Sequence, residues 1–217
     1  GEANRPVVYR AVEGKEVRLV GGRPLPAKAF QPVSATEMLQ RLEVAARPHV
    51  LRADLRALGI TNYGTFPDQF SGAALVPELF FNDQRMTLAR WPNEGWAEVR
   101  KVIESGPAPW RNHASDKLGA FTYDGDRPAR WRQAPAVWLQ GYWCFDWSSE
   151  TIRVQNVDTN DHRITLAKPH VYGLGSGNPG ARRFVAVNLI EELDQPGEYF
   201  VDHDSGGLFF WPPASLR

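Results

Sequence analysis

The side chains most able to do chemistry in this chain are a few acids, a few histidines and a large set of aromatic rings. Asp146, Glu150, Glu191, Glu192 and Asp194 are the candidate acids. Two carboxylates facing each other across a groove can cleave a glycosidic bond, one as acid and the other as base or nucleophile. Most acids in a globular chain are solvated surface groups, and spacing brings no two of these together. Asp161-His162 and Asp202-His203-Asp204 set acid beside base. Both stretches read as hairpin turns, where Asp serves backbone N–H groups; a metal site draws on a helix face or on facing strands. The lone Cys144 forms no internal disulfide and builds no thiolate zinc site. Residues 173–180 carry Gly at dinucleotide-like spacing, but Pro169 and Pro179 flank or interrupt them and a strand comes next, so they read as a loop. No Gly-x-Ser-x-Gly elbow is present. The expectation is therefore no metal and no cofactor.

The aromatics say more. The 217 residues hold 8 Trp, 6 Tyr and 11 Phe, and Trp138, Tyr142, Trp143, Phe145 and Trp147 fall close together. On one continuous strand, Trp143, Phe145 and Trp147 share a face and Tyr142 and Cys144 take the other. Such a cluster most simply fills the core of a sandwich. The alternative is a platform whose indoles stack against sugar rings. Trp91, Trp96, Trp110 and Trp131 lie beside Pro, Asn and Arg, in segments expected to be more exposed.

The elements that must position these residues read as strands. There are 19 Gly and 17 Pro, and short apolar runs are punctuated by turn residues. Strands are predicted at Pro6–Ala11, Val17–Val20, Val50–Leu55, Ala97–Ile103 and Arg183–Val187. A hairpin is expected around Asn82-Asp83-Gln84, a meander over residues 136–167, and a terminal hairpin from Glu198 to Trp211. Leu58–Gly64 reads as a loop that leads into a mobile stretch through residue 75. One helix is predicted over Ala35–Ala46, with Ser34 as N-cap and Glu37 completing a capping box, and a single helical turn over Asn188–Leu193. The fold class is all-β: an antiparallel β-sandwich or barrel-like domain with one short helix.

Composition narrows the partners. With 25 basic and 25 acidic residues the formal net charge is zero, which argues against nucleic acid. No apolar run is long enough to span a membrane, and the first residues carry no signal-peptide pattern.

Several segments together resemble a known group. Pro6–Ala11 with Gly14–Gly22 is similar to the opening rung of right-handed parallel β-helix proteins that act on polysaccharides. Glu78–Gly95, Gly141–Trp147, Asn188–Tyr199 and the Asp202–Pro213 hairpin resemble segments downstream of that rung in the same group, most of all in enzymes like those of glycoside hydrolase family 141. The resemblance implies that residues 1–22 start a β-helix rung and that residues 23–217 form an inserted antiparallel domain. The solenoid, which carries the family's catalytic carboxylates, is then missing, so no catalytic residue carries over. Residues 6–22 and 207–213 are expected to abut it and to show apolar side chains. The resemblance also implies a secreted or periplasmic parent. The function it suggests is a non-catalytic accessory domain lining a glycan groove, whose partners are a polysaccharide or oligosaccharide and the missing solenoid. Trp91, Trp131, Trp143 and Trp147 are the expected stacking rings, with Arg90 bonding sugar hydroxyls or an acidic sugar. The alternatives are a self-sufficient glycoside hydrolase using a carboxylate pair, and a protein-interaction domain.

Overall fold

The structure is a computed structural model that describes residues 2–66, 76–133, 136–175, 177 and 182–216. The expected mobile stretch therefore lies largely outside the described residues, as does the second half of the Gly-rich loop. The strands are β1 (Gln31–Pro32), β2 (Leu51–Asp54), β3 (Phe80–Phe81), β4 (Gln84–Arg85) and β5 (Thr87–Leu88). They continue with β6 (Arg90–Trp91), β7 (Ala97–Glu98), β8 (Lys101–Glu104), β9 (Ala120–Thr122) and β10 (Trp138–Tyr142). The last are β11 (Ser149–Asp158), β12 (Arg163–Leu166), β13 (Arg183–Val187), β14 (Glu198–Asp202) and β15 (Gly207–Phe210). One helix, α1, spans Thr36–Arg41, and 3₁₀ turns include Pro109–Arg111, Arg127–Gln133 and Ile190–Glu192.

The fold is all-β and sandwich-like, without a closed barrel. An eight-stranded sheet has the order β6-β13-β10-β11-β12-β9-β8, with β7 also on β13. A five-stranded sheet has the order β1-β2-β15-β14-β5. Pairing is antiparallel except between β5 and β14. The meander β10-β11-β12 and the β14-β15 hairpin match the expectation. So does the small β3-β4 hairpin, whose Asn82 and Asp83 both have positive φ (49° and 63°), the geometry of a two-residue type I′ turn.

Period-two alternation explains the cores. In β10 Leu139 and Gly141 point inward while Trp138, Gln140 and Tyr142 stay half-exposed. The inner face joins Phe121, Trp131, Trp143, Ile152, Ile164 and Phe184 in one core. The smaller sheet is covered on both faces. Phe200 and Phe209 face a core with Leu42, Ala46, Val50 and Ile190; Tyr199, Val201, Leu208 and Phe210 face another with Ala53, Leu55 and Met86. A strand buried on both sides must be apolar throughout, which is why β15 reads Gly-Leu-Phe-Phe.

Three expectations need correction. The helix is half its predicted length: Leu42 is extended (φ −72°, ψ 144°), the N-cap is Ala35, and no side chain caps it. The apolar spacing is real, but Leu42, Ala46 and Val50 reach the core through irregular turns. Pro6–Ala11 and Val17–Val20 form no strand, because neither has a backbone ladder with another segment among the described residues. Their side chains are solvent-facing, Tyr9 and Leu19 almost fully so. Leu208, Phe209 and Phe210, expected at an open edge, are buried instead between two cores.

Candidate functional site

All five candidate acids are held by a cation. Arg127 clasps Glu192 Oε2 at 2.5 Å and Asp194 Oδ2 at 2.6 Å with one nitrogen. Asn93 Nδ2 also donates to Asp194, at 2.8 Å, and the Trp131 indole N–H donates to Glu192 Oε1 at 2.5 Å. Arg41 Nε meets Glu191 Oε1 at 2.6 Å. Lys168 pairs with Glu150 at 2.7 Å, and Arg183 with Asp146 at 2.9 Å. Burial pushes the Glu192 carboxyl up, against the pull of Arg127. Glu198, fully enclosed, is pushed up to about 7 by burial. It accepts the backbone N–H groups of Asp194 and Gln195, which fixes the turn before β14. The acids whose protonation is shifted toward neutral thus have no open surface, while a general acid must reach its substrate. Among the described residues no group of three His, Cys, Asp or Glu side chains converges on a metal position.

The histidine turns are built as expected. Asp158 Oδ1 accepts the N–H groups of Asn160 and Asp161, and Asp202 Oδ1 accepts that of Asp204.

The aromatic candidates divide sharply. Trp131 is 1% exposed and Trp143 0%, so neither offers a ring face to a ligand. The Pro- and Arg-rich surroundings of Trp131 predict a surface position. Instead, the 3₁₀ turn at Arg127–Gln133 folds its ring inward onto Glu192. Trp91 is half-buried, edge-on to Trp131 at 5.7 Å. Arg90 is also half-buried; its Nη2 donates to the Gly95 carbonyl at 2.6 Å, and its buried Nε has no hydrogen-bond partner among the described residues. Trp147 is 63% exposed.

The expected shared face of Trp143, Phe145 and Trp147 does not form, because β10 ends at Tyr142. Trp143 turns under the sheet, and its indole N–H donates to the Glu150 carbonyl at 2.9 Å. Gly141 makes room for it: a Cβ there would lie 2.5 Å from Trp143 Cζ2. Cys144 comes next, 3% exposed, with burial pushing its thiol up. The chain then surfaces as a turn bearing Phe145 and Trp147, stacked with centroids 5.3 Å apart.

Two other loops meet this turn. Gly175 N–H donates to the Trp143 carbonyl at 3.1 Å, and Leu174 N–H to Ser105 O at 2.6 Å. The Trp110 indole N–H donates to Tyr172 O at 2.8 Å. Tyr172 stands edge-on to Phe145 at 5.2 Å and to Trp147 at 5.4 Å; Trp110 lies 5.2 Å from Phe145. Beneath them His170 is buried near Glu150, and burial pulls its imidazole below the ordinary range. On the outer sheet face, Arg183 lies over Tyr142 at 4.4 Å and over Trp96 at 5.6 Å. Its ion pair with Asp146 links that pair of rings to the Trp147 turn.

The result is an aromatic band with Trp147, Trp110 (47% exposed) and Trp96 (38% exposed) at its surface. Flat indole faces beside hydroxyl-bonding Arg and Asp side chains suit the C–H face and rim hydroxyls of a sugar ring. Trp96 and Trp110 carry the same loop signal in the sequence as Trp91 and Trp131. Nothing in that signal separates the exposed pair from the packed pair. Tyr142 and Arg183 are legible in the sequence only as strand residues; their stacking needs the β10–β13 register, which sets Tyr142 opposite Arg183.

No protein-family model matches the chain. No curated protein matches it either. A solved structure described as "Glycoside hydrolase" aligns with TM-score 0.44 at 16% identity, covering 76% of this chain. The chain spans 26% of that protein's length. The likeness carries over no residue role.

Proposed function

We propose that the chain is a non-catalytic, glycan-binding domain of a larger polysaccharide-active protein. The observation that carries this reading is the aromatic band, in which exposed indoles are held in place by three mutually bonded loops. Trp147 and Trp110 are the stacking rings, and Arg183 and Asp146 bond the hydroxyls. A hydrolase acting through acids of this chain is disfavoured. All five candidates are ion-paired, and the two acids shifted toward neutrality, Glu192 and Glu198, are sealed from substrate. The unpaired apolar segment at residues 7–20 supports a second role, that of a docking strip for a further domain such as a β-helix solenoid.

Affinity electrophoresis through gels containing different polysaccharides tests the main reading. Retardation is expected in at least one gel, with loss in the Trp110→Ala/Trp147→Ala double variant. Equal mobility in every gel overturns it.

A further inference from the structure

The loop over residues 168–175 carries one edge of the aromatic band and encloses a histidine. Bonds to three neighbours seat it. The Trp110 indole N–H donates to Tyr172 O at 2.8 Å, Leu174 N–H to Ser105 O at 2.6 Å, and Gly175 N–H to Trp143 O at 3.1 Å. The loop turns at Gly173, whose φ is 71° and whose N–H donates to His170 O at 2.9 Å. A Cβ on Gly173 would lie 3.0 Å from Ala108 Cβ, so the loop passes tightly over residues 105–108.

The His170 side chain is 0% exposed. A neutral imidazole is satisfied there. Nδ1 lies 3.2 Å from the Gly173 carbonyl and 3.4 Å from the Tyr172 N–H, one partner for either tautomer. An imidazolium is not satisfied. It donates from both nitrogens, and Nε2 is buried with no hydrogen-bond partner among the described residues. The charged groups facing the ring are Glu150, on β11, and Lys168. Glu150 Oε2 lies 3.8 Å from Nε2, beyond hydrogen-bond reach. Glu150 Oε1 is held by Lys168 Nζ at 2.7 Å, which offsets its charge. Tyr172 stands edge-on to the imidazole at 5.7 Å.

A cation buried with one donor unmet gains free energy by reaching water. Acid therefore favours the arrangement that exposes the ring, and the enclosing loop is what bars the way. We propose that His170 is a proton-operated latch: proton uptake by its imidazole releases residues 168–175, and with them Tyr172 and the seat of Trp110. The regulatory consequence rests on the band being a glycan site: acid loosens the sugar. Burial holds the imidazole below its ordinary range, which agrees in sign. The closed loop binds the proton more weakly than the open one, so the open fraction grows as pH falls through 6.5. Between pH 7.5 and 5.5 that growth is at most about tenfold.

Amide exchange of the full chain by NMR at those two pH values, scaled to the intrinsic rate at each, tests the latch without a ligand. Protection of the Leu174 and Gly175 amides falls by up to about tenfold. The Val154 amide, bonded within the sheet to Val137 O at 2.8 Å, does not follow. The Trp110 indole N–H signal titrates with the same midpoint as the His170 ring. In His170→Gln the loop amides keep the same protection at both pH values; should that variant not fold, the two wild-type midpoints decide. Unchanged protection, an equal fall at Val154, a Trp110 signal that ignores the His170 midpoint, or the same fall in His170→Gln overturns the proposal. In a gel whose polysaccharide retards the chain, retardation relative to a sugar-free gel weakens as pH passes below that midpoint, and does not in His170→Gln. Equal retardation on both sides of the midpoint overturns the regulatory consequence. A chain that no polysaccharide retards fails the band reading, while the exchange measurements still decide the latch.

Discussion

The two sheets treat the same kinds of residue in opposite ways. The five-stranded sheet is covered on both faces, so each side chain of β15 is core. The eight-stranded sheet buries one face and leaves the other half-open along β10, with Arg183 of β13 stacked against it. A double-covered sheet can contribute stability but has no face left to meet a ligand. A single-covered sheet can spend its outer aromatics on recognition. The same contrast recurs within five residues, between Trp143 under the sheet and Trp147 above it.

That contrast can be broken at both ends. The largest effect belongs to Phe209→Ala in the covered sheet, expected to cost about 3–5 kcal/mol in denaturant melts. Tyr142→Ala on the open face should cost about 1 kcal/mol or less. A loss from Tyr142→Ala as large as that from Phe209→Ala would erase the distinction.

The next effect is electrical. Glu198, at the head of β14, binds its proton near pH 7 in the fold and near 4.5 when unfolded. Between those values the folded chain holds the extra proton. Its contribution is therefore fully present below pH 4.5 and is lost as pH rises through 7, by roughly 3 kcal/mol. Buried His170 acts oppositely: its imidazole is depressed in the fold, so stability falls as pH drops through 6.5. Glu198→Gln should remove the first slope and keep the second. Identical stability–pH profiles for the two proteins would show that folding does not raise the Glu198 carboxyl.

Smaller still is Gly141→Ala. The added methyl meets the Trp143 ring, and overpacking of this kind costs about 1–3 kcal/mol. Trp fluorescence should shift red as the ring loses its seat. The smallest expected change in stability is for Trp147→Ala, within about 0.5 kcal/mol, together with weakened retardation by glycan. A stability loss comparable to that of Gly141→Ala would make Trp147 a packing residue.

Much of the fold is legible in the sequence because strand signals are local. Alternation in Thr151–Asp158, the Asn-Asp turn and the terminal hairpin need no knowledge of distant residues. The helix is overextended by its sequence pattern because Leu42, Ala46 and Val50 carry helical spacing that tertiary packing satisfies by another path. Pro6–Ala11 reads as a strand because β-propensity describes a residue's fitness for a sheet, not the presence of a neighbour. The site is less legible. Trp131 and Trp110 sit in similar sequence surroundings, and what separates them is the distant acid Glu192, which draws one indole inward. Glu191 and Arg41 lie 150 positions apart, and no spacing rule joins them.

Cys144 has a practical use that comes from its place. Its thiol is enclosed at the start of the Phe145–Trp147 turn, close to the Gly177 backbone and to Arg111 and Arg182, and a protonated, covered sulfur reacts slowly with disulfide reagents. Labelling therefore requires the turn to lift, and the labelling rate in native buffer reports how often it does. The chain has no other cysteine, so the signal is unambiguous. A sugar that holds the adjoining Phe145–Trp147 turn in place should slow that chemistry in proportion to occupancy, giving a dye-based readout of binding with no added probe residue.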